Sequence, residues 1–274
     1  MLQHASIPKP IRRGKLRTFF GKEYFILKRN IKWWLNRNSF AKQNLHVELP
    51  FPIFHHHSLL LRPLKDIDMH LQHNKVTNLR LAIQHLNGIV IHPGETFSIW
   101  KNVGRTSRSK GYLEGLTLEN GKISSGIGGG LCQLGNLLYW MVLHTPLTIT
   151  ERWRHGYDVF PDVNRTIPFA CGATLSYNYV DLQFTNTTTE QYQIKLWLDD
   201  THLCGTILAS HALTHSYEIF ETDHHFLQQW WGGYTRHNRI WRRVINKFDG
   251  ESCDELVSEN NAIMMYSPLI DNKS

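Results

Sequence analysis

The sequence lacks the features that would assign it to a membrane-spanning or secreted class. It has no run of about 18 apolar residues, so it predicts no transmembrane helix. Its N-terminus has no apolar segment followed by a small-residue cleavage site, so it predicts no secretory signal peptide. We therefore expect the protein in the cytoplasm or at the inner face of the membrane, with the extracellular face as the alternative.

Cysteine is also scarce, with four residues in a chain of 274, and no two of them form a CxxC pair. This spacing argues against a zinc site and against a disulfide framework. His55, His56 and His57 are consecutive. Three adjacent side chains do not share one face of a helix or strand, so they predict an exposed polar loop rather than a metal site. We therefore expect neither a metal nor an organic cofactor.

Charged residues make up only 19% of the chain, whereas 41% of it is hydrophobic, which is enough to bury a core. The net charge of +7 is concentrated at one end. Residues 1–46 contain eleven Lys and Arg and one acid, Glu23, which gives +10 and leaves −3 for the other 228 residues. The chain therefore consists of a nearly neutral globular body, residues 51–274, and a basic arm, residues 1–50.

Within the basic arm, apolar residues recur at helical spacing, and the cations Lys22, Lys28, Arg29 and Lys32 fall mostly on the other faces. This pattern predicts a basic amphipathic helix of about 18 residues. Its apolar stripe either packs on the body or contacts an anionic membrane surface through residues 12–42. A nucleic-acid contact is the third interpretation, and we do not expect it. The stripe consists of Phe20, Tyr24, Leu27, Ile31, Trp34 and Leu35.

The hydrophobic pattern changes from helical to β-like along the chain. The first half contains predicted helices at residues 74–87 and 131–144, and the second half is a run of strands. This order predicts an α+β fold, with a mixed or antiparallel sheet in the second half and a glycine-rich loop leading into a buried central helix. The core is expected over about residues 75–205, followed by a β-rich C-terminal extension. The predicted strands are at residues 89–92, 95–100, 173–179, 180–184, 192–198, 217–221 and 241–245.

The segment most suited to chemistry is residues 126–130, four glycines in five residues, followed by Cys132 at the start of a predicted helix. Three interpretations fit it. The glycines cradle a phosphate at the helix N-terminus, although the Lys and Ser/Thr of a P-loop are missing. Alternatively, the loop is a tight connection and Cys132 belongs to the core. In the third interpretation, Cys132 is a nucleophile whose thiolate is stabilised by the helix dipole, and nearby N–H groups hold an oxyanion.

A thiolate nucleophile requires a base. His144 lies on the same helix as Cys132, about 18 Å away at 1.5 Å per residue, and is too distant to serve. His155 lies beyond that helix and a short strand, where the chain can return to the helix start, and Asp158 is spaced to orient its imidazole. The alternative is that His155 packs within a loop rich in Trp and Arg.

Several short motifs together resemble one known family. They are Pro93-Gly94-Glu95-Thr96-Phe97-Ser98, Gly111-Tyr112, Gly128-Gly129-Gly130-Leu131-Cys132-Gln133, Glu151-Arg152 with His155, Ala173-Thr174-Leu175 and the strand at 181–187. Over about residues 75–205 this set is similar to the VanW family, and the GGGxCQ core is highly specific. Two segments differ from the family pattern. A serine is usual where this chain has Leu134-Gly135-Asn136, and Asp-Ala-Thr is frequent where it has Gly172-Ala173-Thr174.

The resemblance implies a role in the bacterial cell wall. Members of the VanW family accompany B-type vancomycin-resistance clusters, and some multidomain members are L,D-transpeptidases that cross-link peptidoglycan stems through a cysteine acyl-enzyme. On that analogy Cys132 is the nucleophile and His155 the base. The partner would be a peptidoglycan peptide or a lipid-linked precursor. The alternative is a non-catalytic accessory protein that holds the same peptide or precursor in the same cleft.

Other residues are expected to complete the site around Cys132 and His155. The loop residues expected near the oxyanion are Gly128, Gly129, Gly130, Leu131 and Gln133. Three residues are expected to bind the substrate: Arg105, from a small basic cluster, and Arg152 and Tyr112, from the matched motifs.

Overall fold

The computed structural model describes residues 14–36, 39–61, 68–119, 121–159 and 166–268. The helices in these ranges are α1 (Lys15–Leu35), α2 (Met69–Leu86), α3 (Ile99–Val103) and α4 (Cys132–Leu143), with a short 3₁₀ helix at Arg108–Lys110. The strands are β1 (Phe51–Leu59), β2 (Val90–Ile91), β3 (Thr96–Ser98), β4 (Glu114–Glu119), β5 (Lys122–Ile127), β6 (Thr148–Glu151), β7 (Tyr157–Asp158), β8 (Gln183–Thr185), β9 (Tyr192–Leu198), β10 (His202–Ala209), β11 (His215–Gln228), β12 (Tyr234–Asn246) and β13 (Ser252–Met264).

These strands form three sheets and a hairpin. One antiparallel sheet has the order β1-β10-β9-β2, a second has the order β11-β12-β13-β7, and a third has the order β3-β8-β6. The β7 strand is parallel to β13, so the second sheet is mixed, and β4 and β5 pair only with each other. The α+β prediction is confirmed, because the helices lie mainly in the N-terminal half and long strands dominate the C-terminal half.

The central helix α4 is buried, as predicted. Leu134, Leu138, Met141 and Val142 are fully buried on it and belong to the main hydrophobic core. The helix packs closely on β10 at Gly205, where an added Cβ would lie 2.8 Å from Met141. The first residue of α4 is Cys132, so the core holds the start of this helix in a fixed position.

The predicted helix at 74–87 is confirmed but begins earlier. The α2 helix starts at Met69 because the side chain of Asp68 accepts the N–H of His70 at 2.8 Å and caps the N-terminus. It ends at Leu86, and Gly88 follows with a φ of +88°, the left-handed conformation that glycine adopts readily.

The histidine tract is a strand, so the prediction of a loop at His55–His57 is wrong. These residues lie in β1, which pairs with β10, and His55 Nδ1 is 3.0 Å from Thr206 Oγ1. His56 packs against Trp140 of α4, and burial and the neighbouring His57 lower its pKa to about 4. The pairing that makes this a strand is distant in sequence, and the local pattern did not show it.

Strand prediction also failed at residues 173–179, and it missed β4, β5, β10 and β13. Residues 171–175 form no strand, because their N–H groups donate to side chains and to a loop carbonyl rather than to a ladder. β13 is rich in polar residues, and it is held to β12 by cross-strand ion pairs such as Arg242–Glu255 and Arg243–Asp254. Such pairs leave no alternating apolar pattern to detect.

The amphipathic helix of the basic arm is present as α1, but its apolar stripe does not pack on the body. Ile26 and Trp33, which lie outside the predicted stripe, are the buried apolar side chains of α1. The predicted stripe faces away from the body, and its exposed fractions run from 51% for Ile31 to 71% for Trp34. The interpretation in which the stripe packs on the body is therefore wrong. None of the helices in the described ranges is long and apolar enough to cross a bilayer.

Candidate functional site

The glycine-rich loop joins β5 to α4 by a close approach of two backbones. Gly128 and Gly130 have φ values of +77° and +91°, which favour glycine. Gly129 lies directly against Gly115 of β4, since an added Cβ at Gly129 would be 2.1 Å from the Gly115 carbonyl oxygen. At Gly130 an added Cβ would be 2.2 Å from Lys75 Cγ on α2. The backbone conformation and close packing of the loop therefore require glycine at three of its positions.

The N–H groups of the three consecutive glycines already donate to backbone carbonyls. The N–H of Gly128 donates to Leu113 O at 3.0 Å, and that of Gly130 to Leu116 O at 2.8 Å. The Gly129 N–H closes a turn with Gly126 O at 3.0 Å. Across the described residues, no backbone carbonyl accepts the N–H of Leu131 or of Cys132. If the loop holds an oxyanion, its donors are these last two amides rather than those of the glycines.

Asn78 on α2 fixes the loop, and sequence reasoning missed it. Its side chain is fully buried and donates to Leu113 O at 3.0 Å and to Gly129 O at 2.9 Å. Its Oδ1 accepts the N–H of Leu113 at 2.8 Å. A polar residue inside the apolar face of a helix was the available signal, because such a group is retained only when it is fully hydrogen-bonded.

The thiol of Cys132 is covered by the loop that the sequence predicted to be a strand. Its Sγ accepts the N–H of Leu175 at 3.5 Å and lies 3.9 Å from Leu175 O. Burial raises the pKa of this thiol above its ordinary value, although the bonds from the main-chain N–H groups of Leu175 and of Cys132 itself act in the opposite direction. The expectation that the helix N-terminus lowers this pKa is therefore wrong for the structure as it stands.

The segment that carries His155 reaches the same loop. Trp153 O accepts the N–H of Thr174 at 2.8 Å, one residue before the Leu175 N–H that donates to Cys132. Within the described part of the chain no hydrogen bond joins His155 to Cys132. Burial and the neighbouring Arg154 lower the pKa of His155, so its imidazole is neutral near pH 7 and able to accept a proton.

Asp158 has other partners than His155. It is buried on β7, where its Oδ2 accepts Arg236 Nη1 at 3.3 Å and the hydroxyl of Tyr266 at 2.8 Å. The Arg236 guanidinium also lies over the ring of Phe169, 4.1 Å from its centroid. These contacts join β7 to β12 and the C-terminal segment. Asp158 is thus placed to hold β12 and the segment after β13 against β7.

The predicted substrate-binding residues are dispersed. Arg152 donates to Gly172 O at 2.8 Å and to Ala170 O, and its guanidinium stacks over Tyr139, 4.6 Å from the ring centroid. Arg105 pairs with Glu23 of α1 at 2.9 Å. Tyr112 is buried, and its hydroxyl has no hydrogen-bond partner among the described residues. Arg152 braces the loop near Cys132, whereas Arg105 holds the arm.

Gln133 anchors the start of α4 to β1 rather than lining an opening. Its Nε2 donates to Ser58 Oγ and to Leu59 O, both at 2.9 Å. The side chain therefore fixes the orientation of the helix turn that carries Cys132.

The two segments that differ from the family pattern touch each other. Asn136 Oδ1 accepts the N–H of Ala173 at 2.8 Å, which ties α4 to the loop over Cys132. Gly172 lies against the same amide, because an added Cβ there would be 2.5 Å from Asn136 Oδ1. In this chain Asn136 thus supplies the polar contact to the loop, and Gly172 leaves room for it.

A buried carboxyl near the arm is a further residue that sequence reasoning missed. Asp181 is fully buried and accepts Ser98 Oγ at 2.5 Å, Gln183 Nε2 at 3.0 Å and the N–H of Trp100 at 3.2 Å. Burial raises its pKa to about 7 despite these donors, and the nearby Glu151 acts in the same direction.

Asp181 should make the stability of the fold depend on pH. Because its folded pKa of about 7 lies above the usual Asp value of about 3.9, its contribution is fully present below about pH 4 and is lost as the pH rises through 7. The slope should be at most about 1.4 kcal/mol per pH unit. Urea unfolding of the parent and of Asp181→Asn, measured across this pH range, isolates the contribution of Asp181 to the free energy of unfolding. Parallel pH profiles for the two proteins would contradict it.

Comparison with known proteins agrees with the motifs. A family model described as VanW like protein matches residues 74–208. The chain is 36% identical over 221 residues to the vancomycin B-type resistance protein VanW of Enterococcus faecalis, which covers 81% of this chain and 80% of that protein. It is 31% identical over 118 residues to the uncharacterized protein YoaR of Bacillus subtilis, covering 43% of this chain and 37% of YoaR. No solved structure gives a significant match.

Proposed function

Because the chain belongs to the VanW family, we propose that it is a cysteine acyltransferase of the L,D-transpeptidase type that acts on peptidoglycan stem peptides or their lipid-linked precursors. The name of its Enterococcus faecalis relative connects that protein with vancomycin resistance, and we extend this connection to the present chain. The observation that carries the proposal is the setting of Cys132. Its sulfur accepts the Leu175 N–H at the first turn of α4, beside two amides that donate to none of the backbone carbonyls of the described residues.

The reaction would proceed through a thioester on Cys132. The Sγ–H proton passes to a base, and the sulfur attacks the carbonyl carbon of a peptide bond between an L- and a D-residue. The oxygen of the tetrahedral intermediate accepts the N–H groups of Leu131 and Cys132. The C–N bond then breaks, the departing amine takes the proton back from the base, and the acyl group remains on sulfur. An acceptor amine attacks the thioester, forms the new amide and releases the thiol.

His155 is the base in this proposal. Its lowered pKa keeps the imidazole neutral, which a proton acceptor requires, and its segment contacts the loop that covers Cys132. For the step to occur, the imidazole must come within hydrogen-bond distance of Sγ when the peptide is bound. Arg152 is a positioning residue, because it donates to the carbonyls of residues 170 and 172, where the chain enters that loop.

One observation favours a second function, that of a non-catalytic accessory protein. Burial raises the pKa of Cys132, and its hydrogen bonds go to Leu175 rather than to an imidazole in the described part of the chain. In that function the loop and α4 would hold a cell-wall peptide or precursor without a covalent step.

Trapping the thioester separates the two functions. The full-length protein is incubated with a synthetic stem peptide that contains an L-to-D peptide bond, quenched in acid, digested and analysed by mass spectrometry. We expect the acyl group on the peptide that carries Cys132, and no adduct in Cys132→Ser. Cys253→Ser is the matched control, because Cys253 is exposed and should be dispensable. An adduct on Cys253, or peptide binding without any adduct, would contradict acyl transfer through Cys132.

A further inference from the structure

The α1 helix is held against the body along one face, which fixes the direction of the opposite face. Arg29 makes a bidentate pair with Glu151 at 2.7 and 2.8 Å. Asn30 Oδ1 accepts Asn178 Nδ2 at 3.0 Å, and Glu23 pairs with Arg105 at 2.9 Å. The apolar residues buried on the same side of the helix are Ile26 and Trp33.

The opposite side, which we call the outer face of α1, is apolar and exposed. Each member lies three or four residues from another, so they form one stripe along the helix. Every one of them is at least half exposed, a high value for side chains that are usually buried. The stripe consists of Leu16, Phe20, Tyr24, Leu27, Ile31, Trp34 and Leu35.

A row of cations borders the outer face. Arg17, Lys28 and Lys32 are exposed and lie next to the stripe on the helical wheel, on the side away from the body. The one acid of α1, Glu23, lies on the docked side, where Arg105 neutralises it. The surface that α1 turns away from the body is therefore apolar, and its border on that side is positive.

We propose that the outer face of α1 binds an anionic lipid surface. A helix with exposed Trp, Phe and Leu beside Lys and Arg lies in the plane of a bilayer interface, with its apolar side among the acyl chains and its cations at the headgroups. Burial of the aromatic side chains and attraction to anionic headgroups then add, and the ion pairs with Glu151 and Arg105 seat the whole body on the membrane. This inference does not depend on any chemistry at Cys132.

Vesicle binding by the full-length protein tests it. We expect the protein to sediment with vesicles of phosphatidylcholine and phosphatidylglycerol but not with pure phosphatidylcholine. Replacing Arg17, Lys28 and Lys32 by Gln should weaken binding about fivefold for each cation, and about a hundredfold together. Added salt should weaken binding of the parent in the same direction.

Two further sets of variants check the apolar stripe. Phe20→Gln, Tyr24→Gln and Trp34→Gln together should abolish binding, whereas Phe226→Gln, Trp230→Gln and Phe248→Gln, which change exposed aromatics of the β11–β13 hairpins, should leave it intact. The proposal is overturned if the cation variant and the stripe variant both bind like the parent. It is also overturned if the parent does not bind vesicles but forms dimers that the stripe variant separates, because the outer face would then join two copies of the chain.

Discussion

Replacing His155 by Ala is expected to slow acylation of Cys132 at neutral pH by about 10²–10⁴-fold, the usual contribution of a general base. The loss should be large because burial raises the pKa of the Cys132 thiol, so little thiolate forms without help. It should shrink at alkaline pH, where hydroxide removes the proton directly. The rate of thioester formation, followed by quenching and mass spectrometry at neutral and alkaline pH, measures both effects.

His144 provides a matched control for this experiment. It is also a histidine whose pKa burial lowers, but it lies at the other end of α4, where its Nδ1 is 2.9 Å from Trp140 O. His144→Ala should therefore acylate at the parent rate, and Cys132→Ser should not form a stable adduct. If His155→Ala acylates as fast as the parent at every pH, His155 is not the base. If it unfolds instead, His155 is a packing residue of its loop.

Replacing Asp158 by Ala is expected to lower the free energy of unfolding by about 3–5 kcal/mol. The change removes the carboxylate from a pair whose side chains are only 6% and 3% exposed, and it leaves the Arg236 guanidinium buried without that carboxylate. It also removes the acceptor of the Tyr266 hydroxyl. Urea unfolding, monitored by tryptophan fluorescence, gives the change in free energy.

An exposed ion pair in the same sheet shows what burial contributes. Asp254 and Arg243 have side chains 39% and 41% exposed, so Asp254→Ala should destabilise the fold far less than Asp158→Ala does. The Asp158→Ala variant also distinguishes a role in orienting His155 from a role in stabilising the fold. If Asp158→Ala keeps the parent stability but slows acylation, Asp158 orients His155, as its sequence spacing suggested. If the variant is destabilised and the folded fraction reacts normally, Asp158 holds the C-terminal sheet in place.

The sequence predicted correctly those elements whose structure is decided by residues close together in the chain. The helical spacing of α1 and α4 predicted these two helices, and the glycines before Cys132 predicted the loop that leads into α4, because periodicity and backbone freedom are read within a few residues. The same reasoning failed at β1, whose strand depends on pairing with β10, and at β13, whose polar side chains are stabilised by cross-strand ion pairs.

The candidate site was harder to predict than the fold, because the burial of Cys132 and the partners of Asp158 depend on segments that are distant in sequence. The position of Cys132 at a helix start was predictable, and that position alone favours a thiolate. The cover that Leu175 places on the sulfur is supplied by a loop about forty residues away, and it reverses the direction of the pKa shift. The partners of Asp158 come from further still, at Arg236 and Tyr266.

The contact between Asn136 and Gly172 has a consequence for how this family varies. Any side chain at residue 172 would push the Asn136 amide off the Ala173 N–H, and the loop over Cys132 would lose one of its hydrogen bonds to α4. Conversely, a smaller residue at 136 vacates the space that a side chain at 172 needs. A side chain added at residue 172 alone should therefore destabilise this loop more than the same change combined with a smaller residue at 136.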